Sequence, residues 1–317
     1  MKKLLLTGAL GQIGTELTTA LRKVYGEDNV VASDIHPEIP DGPLRGGLYE
    51  VVDVVKPKQI ADVVKKHQVT DIIHLAALLS AVGEAKPHLA WEVNMGGLFN
   101  VLEVARECGA ALFTPSSIAA FGPTTPADQT PQDTIQRPTT MYGVTKVAGE
   151  LLCDYYYLKY GVDTRGVRFP GLISYEALPG GGTTDYAVHI FYEALKRQSY
   201  TSYIDRGTYM DMMYMPDAIK ATMQLLEADP AKLIHRNAFN VTAMSFDPEA
   251  LAAEIRQHIP TFSLSYNVDP VRQGIANSWP NSLDDSVARA EWGWKPEYNL
   301  SAMTKDMLTQ LKIKLKV

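Results

Sequence analysis

The stretch Thr7-Gly8-Ala9-Leu10-Gly11-Gln12-Ile13-Gly14 decides the fold. It follows a short apolar run at residues 2–6 and precedes a helical pattern of apolar residues that continues to Val24. A strand, a glycine-rich turn and a helix in this order are typical of a dinucleotide-binding unit. The glycines permit a tight turn and let backbone N–H groups approach a pyrophosphate at the helix N-terminus. The sequence therefore predicts cofactor contacts at Gly8, Gly11, Gln12, Ile13 and Gly14.

Apolar strands and helical patterns alternate over the first 170 residues. Further strands are predicted at residues 29–33, 49–52, 71–75, 111–114 and 163–168, with helices at 57–67, at 87–108 and from 141 onward. Such alternation is typical of the α/β class with a doubly wound parallel sheet. We predict a Rossmann-type NAD-binding domain over residues 1–170, which includes the helix that carries Tyr142 and Lys146. Residues 171–317 are predicted to form a smaller, irregular substrate-binding lobe, part of which returns to the sheet.

Polar residues follow several strands at the edge where parallel sheets bind ligands. Asp34 lies 20 residues after Gly14, where a carboxylate can accept hydrogen bonds from the adenosine ribose hydroxyls. It would also repel a 2′-phosphate, which favours NAD over NADP. Taken alone, Asp34 could equally cap a turn. His74 lies within a strand, so we interpret it as a core histidine rather than a base.

Tyr142 and Lys146 are four residues apart at the start of a helical pattern, so both side chains face one side of a helix. A lysine ammonium stabilises a phenolate, which lets a tyrosine with an ordinary pKa of about 10 accept a proton nearer neutral pH. The spacing alone is common on solvated helices. The spacing indicates a catalytic pair here because the glycine turn, Asp34 and Ser117 precede it in the same chain. For Asn94, within the long helix, a satisfied amide and a relay role stay equally open.

Composition excludes several classes of function. The 317 residues carry a formal charge of -6, and the basic residues form no tract apart from lysines near the C-terminus, so no nucleic-acid partner is expected. No apolar run reaches membrane length, and the N-terminal run is too short for a signal peptide. Neither Cys108 nor Cys153 has a metal-ligand neighbour in sequence. Reduced thiols and a cytoplasmic location are expected.

Taken together, these motifs resemble the extended branch of the short-chain dehydrogenase/reductase superfamily. The matching pieces follow the family's order: the glycine turn, Asp34, Asp53, the stretch at residues 74–77, Asn94, Ser116-Ser117 and Tyr142-x-x-x-Lys146. The resemblance implies that Tyr142 is the acid/base, that Lys146 supports it and holds the nicotinamide ribose, and that Ser117 rather than Ser116 bonds the substrate oxygen. The further cofactor contacts it implies are Asp53, Val54, Leu75, Ala76, Ala77, Asn94, Phe169 and Pro170.

Nucleotide-sugar epimerases and dehydratases of this branch usually carry Asn where this chain has Gly171, and often Arg where it has Met210. The missing amide and cation count against a diphosphate ligand. Residues 168–187, 209–214, 278–280 and 291–296 instead resemble the short-chain, non-zinc type of L-threonine 3-dehydrogenase. No cysteine/histidine cluster is present to hold zinc, so no metal is predicted.

This closer resemblance implies NAD-dependent oxidation of the Cβ hydroxyl of L-threonine to 2-amino-3-oxobutanoate, with closure of the loop at residues 178–186. The residues expected to bind the substrate are Ser80, Ser117, Tyr142, Gly182, Thr183 and Thr184. It also implies a homodimer through the helices near 90–107 and 143–160, although these helices could simply cover the sheet. Two alternatives stay open: a nucleotide-sugar epimerase or dehydratase, and a non-catalytic NAD-binding regulator. The intact Ser117, Tyr142 and Lys146 count against the regulator.

Overall fold

The computed structural model describes residues 2–42, 44–177 and 180–317. Strands and helices alternate in the first half: β1 (Leu4–Thr7), α1 (Gln12–Tyr25), β2 (Val30–Asp34), β3 (Tyr49–Val51), α2 (Pro57–His67), β4 (Asp71–His74), α3 (Ser80–Ala85), α4 (Pro87–Trp91), α5 (Gly97–Cys108), β5 (Ala111–Phe113), β6 (Ser116–Ser117), α6 (Met141–Tyr160) and β7 (Thr164–Arg165). A π-helical turn, Glu92–Gly96, joins α4 to α5, so the long helix predicted at 87–108 contains a local irregularity.

The second half is less regular. Its elements are β8 (Val167–Phe169), β9 (Gly171–Ile173), α7 (Tyr186–Arg197), β10 (Ser199–Ser202), β11 (Met210–Tyr214), α8 (Met215–Glu227), β12 (Phe239–Asn240), β13 (Met244–Phe246), α9 (Pro248–His258), β14 (Ser263–Tyr266), α10 (Pro270–Ala276), α11 (Ser286–Trp292) and α12 (Leu300–Leu315). The sequence did not predict β9, β11, β13, α3, α10 or α11. None of the helices in the described residues has the length and hydropathy that a membrane crossing requires.

The central sheet has the strand order β3-β2-β1-β4-β5-β7, and every neighbouring pair is parallel. Its middle strand, β1, is buried throughout. This explains why its sequence is a continuous apolar run rather than an alternating one, since helices cover both faces of such sheets. The predicted α/β fold with a doubly wound parallel sheet is confirmed.

The strand predicted at residues 163–168 is two strands, and this part of the prediction was wrong. The chain bends at Gly166, where a Cβ atom would lie 2.2 Å from the carbonyl oxygen of Thr114. β7 stays in the central sheet, whereas β8 leaves it and pairs with β6 and β12 in a small separate sheet. The strand that carries Ser117 is therefore held by β8 and not by the central sheet.

The second half forms a hydrophobic core of its own and also contributes to a core of the central sheet. Helices α7, α9 and α12 surround β11 in a core of their own. Helix α8 instead packs against α1, with Ala218, Ala221 and Leu225 fully buried in the core of the central sheet. The second half thus returns to the first-half core, while a division of the chain at residue 170 stays a prediction.

One buried carboxyl group links β11 to the C-terminal segment. Asp211 is fully buried and accepts hydrogen bonds from Thr242 Oγ1 at 2.6 Å and from the backbone N of Leu283 at 2.7 Å. Burial raises the pKa of Asp211 to about 8, and these hydrogen bonds offset only part of that effect. The group therefore keeps its proton in the folded chain over a pH range in which the unfolded chain has lost it.

This proton makes the free energy of unfolding depend on pH. Between about pH 4 and about pH 8 the contribution of Asp211 falls by at most ~1.4 kcal/mol per pH unit. Asn does not titrate, and its Oδ1 can accept from Leu283 N while its Nδ2 donates to Thr242 Oγ1. Asp211→Asn should therefore gain stability relative to wild type as the pH rises through this window. Urea unfolding at about pH 5 and about pH 8 measures this difference. The exposed Asp41 provides the control, Asp41→Asn, which should follow wild type. If the free energies of unfolding of wild type and Asp211→Asn differed by the same amount at both pH values, the raised pKa of Asp211 would be contradicted.

Candidate active site

The glycine turn between β1 and α1 is packed against the end of β4. Gly8 has φ +73°, and a Cβ atom there would lie 2.7 Å from the backbone N of Ala76. A Cβ atom on Gly14 would lie 2.3 Å from the carbonyl oxygen of Gly8. Beside this turn, the amide nitrogen of Gln12 is buried and has no partner among the described residues. A tight cradle with an unused donor at a helix N-terminus suits the pyrophosphate of a dinucleotide.

The predicted adenosine contacts lie beyond this turn, at the carboxyl ends of β2 and β3. Asp34 Oδ2 accepts a hydrogen bond from the backbone N of Leu10 at 3.2 Å, which holds the glycine turn to β2. Asp53 accepts from the backbone N of Val55 at 3.2 Å and pairs with Lys56 at 3.3 Å. Val54 is buried. The positions of these three residues at the carboxyl edge of the sheet fit the adenosine part of NAD. The individual contacts stay predictions.

A cavity of about 250 Å³ opens at the carboxyl edge beside the glycine turn. It brings together most of the residues that the sequence singled out: Gly8, Gly11, Gln12, Ile13, Gly14, Leu75, Ala77, Ser80, Ser117, Tyr142, Lys146, Phe169, Pro170, Gly182, Thr183 and Thr184. The predicted residues outside its lining are Asp34, Asp53, Val54, Ala76 and Asn94. Lining residues that the sequence did not reveal are Leu79, Pro115, Ser116, Ile118, Gly171, Leu172, Asp185 and Trp279.

Tyr142 and Lys146 project from the first turns of α6. The helix is capped by Thr140, whose Oγ1 accepts from the backbone N of Gly143 at 3.1 Å. Lys146 Nζ lies 5.4 Å from the centroid of the Tyr142 ring and donates to the carbonyl oxygen of Pro115 at 2.7 Å. The ammonium is therefore placed between the tyrosine and the segment that leads into Ser117.

Close backbone packing brings the serine to this helix. A Cβ atom on Gly143 would lie 2.2 Å from the carbonyl oxygen of Ala119, in the 3₁₀ turn that follows Ser117. Ser117 is partly exposed, lines the cavity, and its Oγ accepts from the backbone N of Ala119 at 3.2 Å. The hydroxyl of Ser116 is instead buried and donates to the carboxylate of Glu150. The geometry favours Ser117 as the serine presented to a ligand.

Asn94 and His74 lie behind this site. Asn94 Oδ1 accepts from the backbone N of Leu78 at 2.8 Å, and its Nδ2 donates to Leu78 O at 3.1 Å and to Thr145 Oγ1 at 3.2 Å. These bonds make it a satisfied amide, one of the two alternatives left open above. Burial, followed by the charge of Lys146, lowers the pKa of His74 to about 3, so this histidine is neutral. Its Nδ1 lies 2.9 Å from Thr7 Oγ1, as expected of a core residue.

The loop at residues 180–185 closes the cavity on the other side. Asp185 is buried, and its Oδ2 accepts from the backbone N of Gly181 at 2.9 Å and of Gly182 at 2.6 Å. Burial raises the pKa of Asp185, and these two donors act in the opposite direction. Leu178 and Pro179, at the start of the predicted 178–186 loop, lie outside the described residues. Ser80, at the start of α3, is buried at the cavity wall.

Gly171 lies under this loop and leaves no room for a side chain. A Cβ atom there would lie 2.4 Å from Met212 Sδ and 2.7 Å from Thr184 Cγ2. Any larger residue would push the loop away from β9 or displace the methionine. Among the described residues, no group of three or more His, Cys, Asp or Glu side chains could hold a metal ion.

Family comparison defines the class of protein to which this site belongs. The model of the NAD dependent epimerase/dehydratase family matches residues 4–241, and the chain belongs to this family. A Staphylococcus aureus (strain USA300) protein called an uncharacterized epimerase/dehydratase is 57% identical over 314 residues, which cover 99% of this chain and 98% of that protein. The expected likeness to the extended short-chain dehydrogenase/reductase branch is confirmed.

Comparison with solved structures shows a more specific similarity, to threonine dehydrogenases. An L-threonine dehydrogenase from Clostridium difficile superposes with a TM-score of 0.97 at 61% identity, covering 99% of this chain and 98% of that one. A monomeric L-threonine 3-dehydrogenase from a metagenome superposes with a TM-score of 0.94 at 44% identity, covering 98% of this chain and 99% of that one. The chain is therefore an NAD-type epimerase/dehydratase family member whose fold is that of threonine dehydrogenases.

Asp34 provides a test of cofactor choice. Asp34→Ala removes the charge that would repel a 2′-phosphate, so the ratio of NADP affinity to NAD affinity should rise about tenfold or more. Fluorescence titration with NADH and NADPH measures both affinities.

The control for this measurement is Asp28→Ala, which removes a carboxylate near the opposite end of β2 and should leave the ratio unchanged. Because Asp34 also holds Leu10, both affinities should fall somewhat; an unchanged ratio would overturn the assigned role.

Proposed function

We propose that this protein is an NAD-dependent L-threonine 3-dehydrogenase, which oxidises the Cβ hydroxyl of L-threonine to give 2-amino-3-oxobutanoate. The proposal is carried by the packing of Gly171 against Met212 and Thr184, which leaves no room for a larger side chain in the wall of the cavity that Ser117 and Tyr142 also line. The similarity to solved threonine dehydrogenases supports the same substrate.

The chemistry follows from three side chains at one end of the cavity. Ser117 and Tyr142 hold the substrate hydroxyl, and the Tyr142 phenolate takes its proton as general base. The Lys146 ammonium, fixed by Pro115 O at 2.7 Å, stabilises that phenolate. NAD, when bound, supplies the acceptor for the hydride that leaves Cβ. Ser80, Gly182, Thr183 and Thr184 are the proposed contacts for the ammonium and carboxylate groups of the substrate.

The same cavity is poorly suited to a sugar diphosphate. Met210 is buried in β11 opposite Phe246, so this position supplies packing and no cation. Among the described residues that line the cavity, Lys146 carries the only positive charge, and Pro115 already engages it. A diphosphate normally requires arginine, with paired hydrogen bonds from its guanidinium. A small zwitterion can be held by hydroxyl and backbone groups, which donate to its carboxylate and accept from its ammonium.

The proposal is tested with purified protein, NAD and L-threonine, following the absorbance of NADH. Turnover of L-threonine is expected, together with no conversion of UDP-sugars. Turnover of a UDP-sugar without oxidation of L-threonine would overturn the proposal in favour of an epimerase or dehydratase. NAD binding without turnover of either substrate would favour the regulator.

Tyr142→Phe should abolish turnover while NAD affinity stays within about twofold, because only the proton acceptor is removed. Steady-state rates and a NADH titration measure the two properties separately. Tyr157→Phe, at the far end of the same helix, is the control and should keep the wild-type rate. A Tyr142→Phe enzyme that retains a near-normal rate would refute the role of this residue as base.

We also propose that two copies of the chain pair through α5 and α6. Val144, Leu151, Tyr155 and Leu158 lie along one side of α6 and are 41–80% exposed, and Phe99 on α5 is 48% exposed next to them. A continuous apolar strip of this kind on a soluble chain typically marks an interface, and a two-fold axis lets one strip cover its own copy. Because one similar structure is described as monomeric, the pairing needs a direct measurement.

Leu151→Glu combined with Leu158→Glu should convert a dimer into a monomer, because two charges would be buried at the centre of the strip. Sedimentation equilibrium at micromolar concentration measures the mass. Ile313→Glu, on the exposed side of α12, is the control and should leave the mass unchanged. A wild-type protein that sediments as a monomer would contradict the pairing.

A further inference from the structure

We propose that Ser116, Glu150 and Arg168 form a positioning unit that fixes Ser117 at its working distance from Tyr142 and Lys146. The proposal rests on the catalytic roles proposed above for these three residues. None of the unit's side chains is assigned contact with the substrate. Its effect would pass through the backbone of β6 and through helix α6.

Glu150 is at the centre of this unit. Each of its two carboxylate oxygens accepts two hydrogen bonds. Its Oε1 accepts from the hydroxyl of Ser116 and from Arg168 Nε at 3.0 Å. Its Oε2 accepts from Arg168 Nη2 at 2.8 Å and from Gln136 Nε2 at 2.7 Å. The side chains of Glu150 and Arg168 are only 5% and 7% exposed. Four donors on one buried carboxylate leave it little freedom to move.

The other terminal nitrogen of the Arg168 guanidinium is also hydrogen-bonded. Arg168 Nη1 donates to Gln132 O at 2.8 Å and to Asn240 Oδ1 at 3.0 Å, and its guanidinium lies 5.0 Å from the centroid of the Phe121 ring. A buried ion pair is tolerated when its hydrogen bonds are complete, but it is seldom more stabilising than apolar packing. We therefore attribute its value here to geometry.

The three residues close a triangle between strand and helix. Arg168 is the backbone partner of Ser116 in the pairing of β8 with β6, and its side chain holds Glu150, which in turn accepts from the Ser116 hydroxyl. Since β6 has only two residues and lies outside the central sheet, this triangle is a main source of its fixed position.

The triangle continues into the site through a ladder of contacts along α6. Tyr142, Lys146 and Glu150 follow one another at intervals of four residues and so face one side of the helix. Lys146 is bonded to Pro115 O and Glu150 to the Ser116 hydroxyl. Pro115, just before β6, and Ser116, its first residue, are thus tied to two consecutive turns of the helix, and Ser117 is the next residue of the strand. Proton transfer is sensitive to displacements of this kind, because small misplacements of reacting groups are costly.

Ser116→Ala tests the unit, because it removes one hydroxyl and leaves the Glu150–Arg168 pair intact. The value of kcat with L-threonine should fall about tenfold, while KM and NAD affinity stay within about twofold. The acidic limb of the rate profile should move to higher pH by about half a unit, because Pro115, whose carbonyl oxygen holds Lys146, is less firmly held when its neighbour loses the bond to Glu150. Ser116→Thr, which restores a hydroxyl, should recover most of the rate.

The matched control is Ser202→Ala, which removes a buried hydroxyl that donates to Ile204 O at 2.6 Å in the other core. Its melting temperature should fall as much as that of Ser116→Ala, with kcat unchanged. Equal losses of kcat in both variants, or a wild-type kcat in Ser116→Ala, would overturn the proposal. If Ser116→Ala does not fold, Ser116→Cys keeps the side-chain size, weakens the donor and should still lower kcat.

A measurement without substrate separates this proposal from the proposed function. The phenolate absorbance that is lost in Tyr142→Phe should reach its midpoint at higher pH in Ser116→Ala than in wild type. A shifted midpoint in a protein that does not oxidise L-threonine would support the positioning unit and reject only the substrate. An unshifted midpoint would reject the unit, whatever the substrate.

Discussion

The contact between Gly143 and the carbonyl oxygen of Ala119 is the constraint on which the site depends. The contact leaves no room for a Cβ atom on Gly143, so the first turn of α6 packs directly against the 3₁₀ turn that follows Ser117. The helix carries Tyr142 and Lys146, and Ser117 immediately precedes the turn. A backbone contact therefore brings the three side chains together. The hydrogen bonds of Lys146 and Glu150 then hold residues 115–116 against the helix.

The described residues of the second half shape the cavity without supplying a positive charge to it. The small sheet of β9, β11 and β13 places Met212 and Gly171 beneath the loop that Asp185 organises. Trp279 reaches the same cavity from a segment almost one hundred residues further along the chain.

Among the buried ionisable groups of the described residues, some are paired with an opposite charge and others are neutral. Glu150 and Arg168 are paired and fully hydrogen-bonded, whereas His74 and Asp211 are neutral at neutral pH because burial moves their pKa values to about 3 and about 8. The neutral groups support structure at low electrostatic cost. The Glu150–Arg168 pair lies on and beside the helix that carries the proposed catalytic residues, where a fixed position is most useful.

The sequence by itself determined the central sheet, the glycine turn and the Tyr142 helix. Each of these depends on local patterns, namely an apolar strand, a glycine spacing and a helical repeat, which neighbouring residues set. The sequence also placed Ser117 within one residue, but it could not show that the hydroxyl of Ser116 turns toward Glu150.

Only the tertiary structure decided that β8 leaves the central sheet at Gly166, that Gly171 packs against Met212 and Thr184, and that Trp279 and Asp185 line the cavity. These outcomes depend on contacts between residues far apart in the chain, as at Glu150 and Arg168, and such contacts leave no periodic signal in a single sequence.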